Sequence, residues 1–250
     1  MKVFSVFGVS LSGKTTTIEH IIAELKRRGY RVGSVKNIHF EKFTLDLEGS
    51  NTWRHKQAGS ELVVARGLRE TGVLFPQKLG MDKILSYFDH DYVVVEGVAD
   101  TVLPKILCAG EPGEIESRFN DLVFLISGRI SNQLTEYKHV PVLNPLREIE
   151  KLVDVIEEKV AEKMPFVQGL DHCNACGSNC RDFAVGILKG ERRREECVYV
   201  KDRVSLFIGQ QEVKVNSSFV AGLRGLLDGL ITQPENYNPL DEIKITIGKK

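Results

Sequence analysis

Apolar positions are distributed along the chain in two alternating patterns. The opening "KVFSVFGV" is short, β-branched and aromatic, and it stops at Gly8, which predicts a buried strand. In "TTTIEHIIAELKRRGY" the residues Ile18, Ile21, Ile22 and Leu25 recur at helical spacing, and Gly29 supplies a stop signal. "RVGSVKN" predicts a second strand, and "TWRHKQAGSELVVAR" joins a helical start to a later apolar run. "MDKILSYF" predicts a helix, and "YVVVEGV", "DLVFLIS" and "VPVLN" predict further strands. "LREIEKLVDVIEEKVAEK" places Ile149, Leu152, Val153, Ile156 and Val160 on one face of an amphipathic helix. Strands alternating with helices imply an α/β fold with a mostly parallel sheet.

After Met164-Pro165 the pattern changes. A cysteine-rich block carries no strand of its own, and "VSLFI" and "QEVKV" around Gly209-Gln210 predict a hairpin. "SSFVAGLRGLLDGLI" predicts a helix with Phe219, Val220, Leu223, Leu226, Leu227 and Leu230 on one face. "EIKITIG" alternates through Ile243, Ile245 and Ile247. These patterns divide the chain into an α/β domain over residues 1–163, a cysteine segment over 164–200 and a small α+β unit over 201–250.

Composition narrows the function classes. Lys+Arg and Asp+Glu are both 34, and this lack of a basic excess argues against bulk nucleic-acid binding. No apolar run approaches the roughly 20 residues that span a bilayer. "MKVFSVFGVS" runs directly into "LSGKTTT" without a small-residue cleavage site, so no signal peptide is expected. Four of the five cysteines are crowded together rather than spread as a disulfide framework, and the expected compartment is the reducing cytoplasm.

The chemistry begins at "GVSLSGKT", which fits G-x-x-x-x-G-K-[ST]. A loop between strand and helix turns its backbone N–H groups inward, and the glycines permit that path. Gly8, Ser10, Leu11, Ser12, Gly13, Lys14, Thr15 and Thr16 form the expected phosphate cradle of a P-loop domain. Lys14 offers a point charge to β- and γ-phosphates, Thr15 a hydroxyl to Mg²⁺, and the helix N-terminus its dipole. Such a site needs a carboxylate at the end of a neighbouring strand. Glu96 ends the apolar run "YVVV", and Asp46 is a second candidate. No N-K-x-D tetrapeptide is present to read guanine, so base identity does not follow from local chemistry.

Three stretches resemble the MobB family of molybdopterin-guanine dinucleotide biosynthesis proteins. They are "VFGVSLSGKTTTIEHIIAELKRRGYRVGSVKN", "KNIHFEKFTLDLEGSNTWRHKQAGS" and "VVVEGVADTVLPKI", within residues 1–163. The family's K-H-x-H-H becomes Lys36-Asn37-Ile38-His39-Phe40, and its D-S becomes Asn51-Thr52, while Trp53, Arg54, His55, Ala58 and Gly59 keep the pattern. The resemblance implies a P-loop fold, GTP with Mg²⁺ as ligand, cofactor contacts at His39 and Arg54, and a homodimer. It implies an accessory role beside the nucleotidyltransferase that attaches GMP to molybdopterin, with slow GTP hydrolysis. Two other readings remain open: a nucleotide-dependent metallochaperone or redox-gated switch, and a small-molecule kinase.

Cys173, Cys176, Cys180 and Cys197 give C-x₂-C-x₃-C-x₁₆-C. Four thiolates from one segment can enclose tetrahedral zinc or a 4Fe-4S cluster. The block resembles the iron–sulfur domains of the Rnf complex B subunit and of the acetyl-CoA synthase gamma subunit in Phe183, Ala184, Gly190 and the last cysteine. That implies an iron–sulfur cluster, with zinc as the alternative. Arg192, Arg193 and Arg194 are expected to form a solvated face or to neutralise an anionic cluster, and Cys108 to be an apolar core residue.

Overall fold

The computed structural model describes residues 1–40, 43–162 and 176–197, together with the strands at 206–208 and 211–213. The chain divides into two compact units, Met1–Asp202 and Arg203–Lys250.

The first unit is built on a five-stranded sheet. Its strands are β1 (Lys2–Gly8), β2 (Val32–Lys36), β5 (Tyr92–Glu96), β6 (Lys105–Cys108) and β7 (Val123–Ser127), in the order β2-β5-β1-β6-β7. Every pairing is parallel, with Val6 opposite Glu96 on one side and Gly8 opposite Cys108 on the other. β1, β5 and β7 are buried on both faces almost throughout, which is why they appear as continuous apolar runs rather than alternating ones.

Helices α1 (Lys14–Arg27) and α5 (Ile149–Lys159) cover one face. Ile18, Ile21 and Leu25 of α1 and Leu152, Val153 and Ile156 of α5 share a core with Phe4, Val6, Val94 and Ile106 of the sheet. Glu24, buried in α1, grips Arg27 and Arg28, and Arg28 reaches on to Asp154 and Glu157 of α5. The other face carries two smaller cores. One is centred on Val3, Val93 and Val95 with Leu85 of α3 (Met81–Leu85), the other on Phe7, Leu107 and Ile126 with Ile115 of α4 (Pro112–Glu116).

Several elements differ from the sequence expectation. β6 was hidden by its brevity and by Lys105 at its start. Lys105 is buried, its ammonium donates to the Thr101 carbonyl at 2.7 Å, and burial pushes its pKa down to about 8. "TWRHKQAGSELVVAR" separates into α2 (Asn51–Gln57) and β3 (Val63–Arg66), and β3 pairs antiparallel with β4 (Thr71–Leu74). "VPVLN" does not extend the main sheet as a full strand. β9 (Val140–Pro141) pairs with β8 (Glu136–Tyr137), and only Val142 bridges in parallel to Ile126. Pro141 has no N–H to give a ladder, which confines it to an edge.

Helix α6 (Cys180–Leu188) is capped by the Asn179 side chain and packs Ala184 and Leu188 into the same core as α1 and α5. Lys2 bridges to Glu162, and Arg194 Nε donates to the Glu162 carbonyl at 2.9 Å. The helix region therefore docks at the N-terminal end of β1. The expected boundary after residue 163 falls within 163–175, outside the described residues.

In the second unit, β10 (Leu206–Ile208) and β11 (Gln211–Val213) form the expected antiparallel hairpin. The expected helix over 217–231 and strand over 242–248 lie outside the described residues.

Candidate nucleotide-binding site

β1 delivers the chain into the loop from Val9 to Gly13 at the C-terminal edge of the sheet. Gly8 adopts a φ of 147°, and a Cβ there would stand 2.0 Å from the Cys108 carbonyl oxygen. Gly13 adopts 98° and faces the Gly128 Cα, 3.2 Å from where its own Cβ would be. Only glycine takes both positions without displacing the neighbouring backbone. Leu11 holds a positive φ of 62° and is exposed at the tip. Ser12 Oγ donates to the Val9 carbonyl at 2.9 Å, and the Lys14 ammonium donates to the same oxygen across the loop. α1 starts at Lys14, so its first backbone N–H groups and the positive end of its dipole are presented to this loop. Ser10, Thr15 and Thr16 are exposed at its rim.

The carboxylate expected beside the loop is present. Glu96 ends β5, next to β1, and is buried to 8% exposure. Thr15 Oγ1 donates to Glu96 Oε1 at 3.4 Å, and the Lys36 ammonium from the end of β2 pairs with the same oxygen. A hydroxyl and a buried carboxylate, both hard oxygen donors beside a phosphate-binding loop, fit Mg²⁺. Lys36 entered the sequence reading only as part of a family pattern. Its position at the end of the strand adjoining Glu96 was the signal for a role at this site.

Asp46 has different surroundings. Its carboxylate accepts from Ser50 at 2.9 Å and Thr52 at 2.7 Å and pairs with Lys56 at 2.8 Å. Lys56 and these hydroxyls hold its pKa down to about 2. These contacts organise the approach to α2, where Ser50 also caps the helix by accepting from Trp53 N–H. His39 lies beside Glu96, its Nε2 being 3.2 Å from the carbonyl of Gly97. Arg54 is exposed on α2, a helix that buries none of its residues.

Among the cysteines, Cys108 is buried in the core, with its thiol pushed up to about 12 by burial and 3.6 Å from Thr17 Oγ1. Cys180 opens α6, Cys197 is buried after the turn Arg194–Glu196, and Cys173 lies outside the described residues. Among the described residues no three His, Cys, Asp or Glu side chains gather to hold a metal ion. The arginine run does not form one solvated face. Arg192 stacks over Phe183 at 5.2 Å and donates to the Cys176 carbonyl at 3.0 Å. Arg194 is half-buried beside Cys197, and burial lowers its pKa. Only Arg193 is exposed.

Strand, glycine-bounded loop and helix in this arrangement define a P-loop-like α/β fold. The model of the family described as Molybdopterin guanine dinucleotide synthesis protein B matches residues 3–122. That match spans just under half of the chain, and individual proteins of similar sequence extend the similarity. A putative molybdopterin-guanine dinucleotide biosynthesis adapter protein of Methanocaldococcus jannaschii is 29% identical over 208 residues, covering 80% of this chain and 78% of that protein. A match of that length cannot be confined to residues 1–163. The Haemophilus influenzae adapter protein is 36% identical over 107 residues, covering 41% of this chain and 60% of its own. The crystal structure of Bacillus subtilis MobB superposes with a TM-score of 0.55 at 20% identity, over 65% of this chain and 100% of that one, which shows a shared fold.

Proposed function

We propose that the protein is a GTP-binding adapter in molybdopterin guanine dinucleotide biosynthesis, acting in the cytoplasm beside the nucleotidyltransferase that joins GMP to molybdopterin. The contact between Thr15 and Glu96, directly beside the Val9–Gly13 loop, is the observation that carries this reading. The family match over residues 3–122 and the adapter names of the relatives support it.

In this reading the backbone N–H groups of residues 10–16 and the Lys14 ammonium hold the β- and γ-phosphates. Thr15 and Glu96 would hold Mg²⁺, which when bound neutralises charge between those phosphates. Lys36 shares Glu96 and keeps its carboxylate turned toward the loop. No side chain among the described residues is assigned to orient an attacking water, so hydrolysis is expected to be slow. His39, in the loop after β2 and beside Gly97, and Arg54, on α2, are the proposed contacts to molybdopterin. A homodimer is part of the proposal, supported by the exposed apolar side chains Phe40, Leu45, Leu47 and Leu68.

The cysteine segment is proposed to hold an iron–sulfur cluster through Cys173, Cys176, Cys180 and Cys197, with zinc as the alternative. Arg192, bonded to the Cys176 carbonyl, brings the chain after α6 back to the loop before it, which supports a closed site. Such a cluster also keeps alive a redox-gated switch.

Co-purification with the nucleotidyltransferase tests the adapter role. A complex that strengthens with GTP and Mg²⁺ is expected. No association, together with full guanylylation by the transferase alone, would overturn it.

A further inference from the structure

The phosphate loop has two unlike sides. On the β5 side stand Thr15, Glu96 and Lys36, which mark the end where metal and γ-phosphate would lie. On the other side, β6 and β7 end in turns pressed against the loop. A Cβ on Gly128, whose φ is 85°, would stand 2.2 Å from the Ser12 carbonyl oxygen, and the Arg129 N–H donates to that oxygen at 3.1 Å. A triphosphate with its γ end at Glu96 directs its nucleoside to this second side.

The turn there is fixed from within. Ser131 Oγ donates to the Gly128 carbonyl at 2.6 Å and Asn132 Nδ2 to the Arg129 carbonyl at 3.2 Å. Buried Asn144 donates to Asn132 Oδ1 at 3.0 Å, tying the turn to the next loop. Arg129 and Asn132 are exposed, and of the two Arg129 carries the charge. The Arg129 guanidinium lies along Gly110, where a Cβ would stand 3.0 Å from Nη2 and 3.2 Å from Nε. Among the described residues it has neither an ion pair nor a side-chain hydrogen bond.

We propose that Arg129 is the nucleobase contact, its guanidinium plane stacking on the purine of a bound nucleotide. This rests on the GTP reading above and deepens it, since the chain lacks an N-K-x-D tetrapeptide. A planar, delocalised cation stacks well on aromatic rings. It stands on the side of the loop away from Glu96, where phosphate charge is already met by Lys14 and the helix end.

Calorimetric titration of the full chain, its R129A and R129K forms, with Mg-GTP and with Mg-tripolyphosphate, tests the proposal. R129A is expected to weaken GTP by roughly tenfold or more, a typical value for one stacked base, and to leave tripolyphosphate binding unchanged. R129K is expected to resemble R129A, because it keeps the charge and loses the plane. Equal weakening of both ligands would make Arg129 a phosphate contact, and full rescue by lysine would make it a charge effect; either overturns the proposal. Unchanged GTP binding in R129A overturns it while leaving the phosphate cradle standing. If the parent binds neither ligand, the cradle itself fails and the proposal with it.

Discussion

The Thr15 hydroxyl donates to Glu96 Oε1 at 3.4 Å, joining the first turn of α1 to the end of β5. The two residues are far apart in sequence and meet because β5 lies parallel to β1 with Glu96 opposite Val6. Glu96→Gln keeps the shape and removes the charge. Mg²⁺ enhancement of GTP binding is expected to fall by about tenfold, with little change in metal-free binding. Equal Mg²⁺ enhancement in variant and parent would remove Glu96 from the metal site.

Glu24 gives the α1–α5 contact a pH dependence. Hydrogen bonds from Arg27 and Arg28 lower its pKa from 4.5 to about 2. A carboxylate with a depressed folded pKa stabilises above its unfolded pKa and loses that contribution as pH falls through the folded value. Glu24→Gln is therefore expected to melt several degrees below the parent at neutral pH. The gap should close between about pH 4.5 and 2. A gap that stays constant in thermal melts across that range would contradict the assignment.

Much of the sheet was legible because buried strands and amphipathic helices leave different periodicities. β1, β5, β7, α1 and α5 all follow from runs of apolar residues. β6 was not, since four residues beginning with a buried lysine carry no pattern of their own; its place comes from pairing with β1 and β7. Glu96 was legible from its position after an apolar run. The partners of Asp46 were not, because they depend on the turn that brings Ser50, Thr52 and Lys56 around one carboxylate. The side chain of Arg129 likewise meets Gly110 only through the adjacency of β6 and β7.

The cysteine segment should carry about four irons per chain when purified without air. Metal analysis with a visible spectrum checks this, and one zinc with no visible band would replace the cluster. Cys197→Ser is expected to lose iron and to retain GTP binding. Arg194, in the turn just before Cys197, meets Glu162, which bridges to Lys2, while the phosphate loop follows Gly8 at the other end of the same strand. Loss of GTP binding in that variant would favour a redox-gated switch.

The apolar side chains of Leu45 and Leu47 are almost fully exposed. If they lie in the proposed dimer interface, Leu45→Ser with Leu47→Ser should lower the molar mass measured by light scattering from that of two chains to that of one. A parent that is monomeric at all concentrations would remove the homodimer from the proposal.

The phosphate cradle is tested most directly by calorimetric titration of the parent and Lys14→Ala with Mg-GTP and Mg-ATP. The parent is expected to bind GTP in preference to ATP, and Lys14→Ala to weaken GTP by about a hundredfold or more with its melting temperature nearly unchanged, because Lys14 lies outside the apolar core. Equal GTP affinity in parent and Lys14→Ala would contradict the phosphate cradle, and a parent that prefers ATP would contradict the GTP-dependent adapter role.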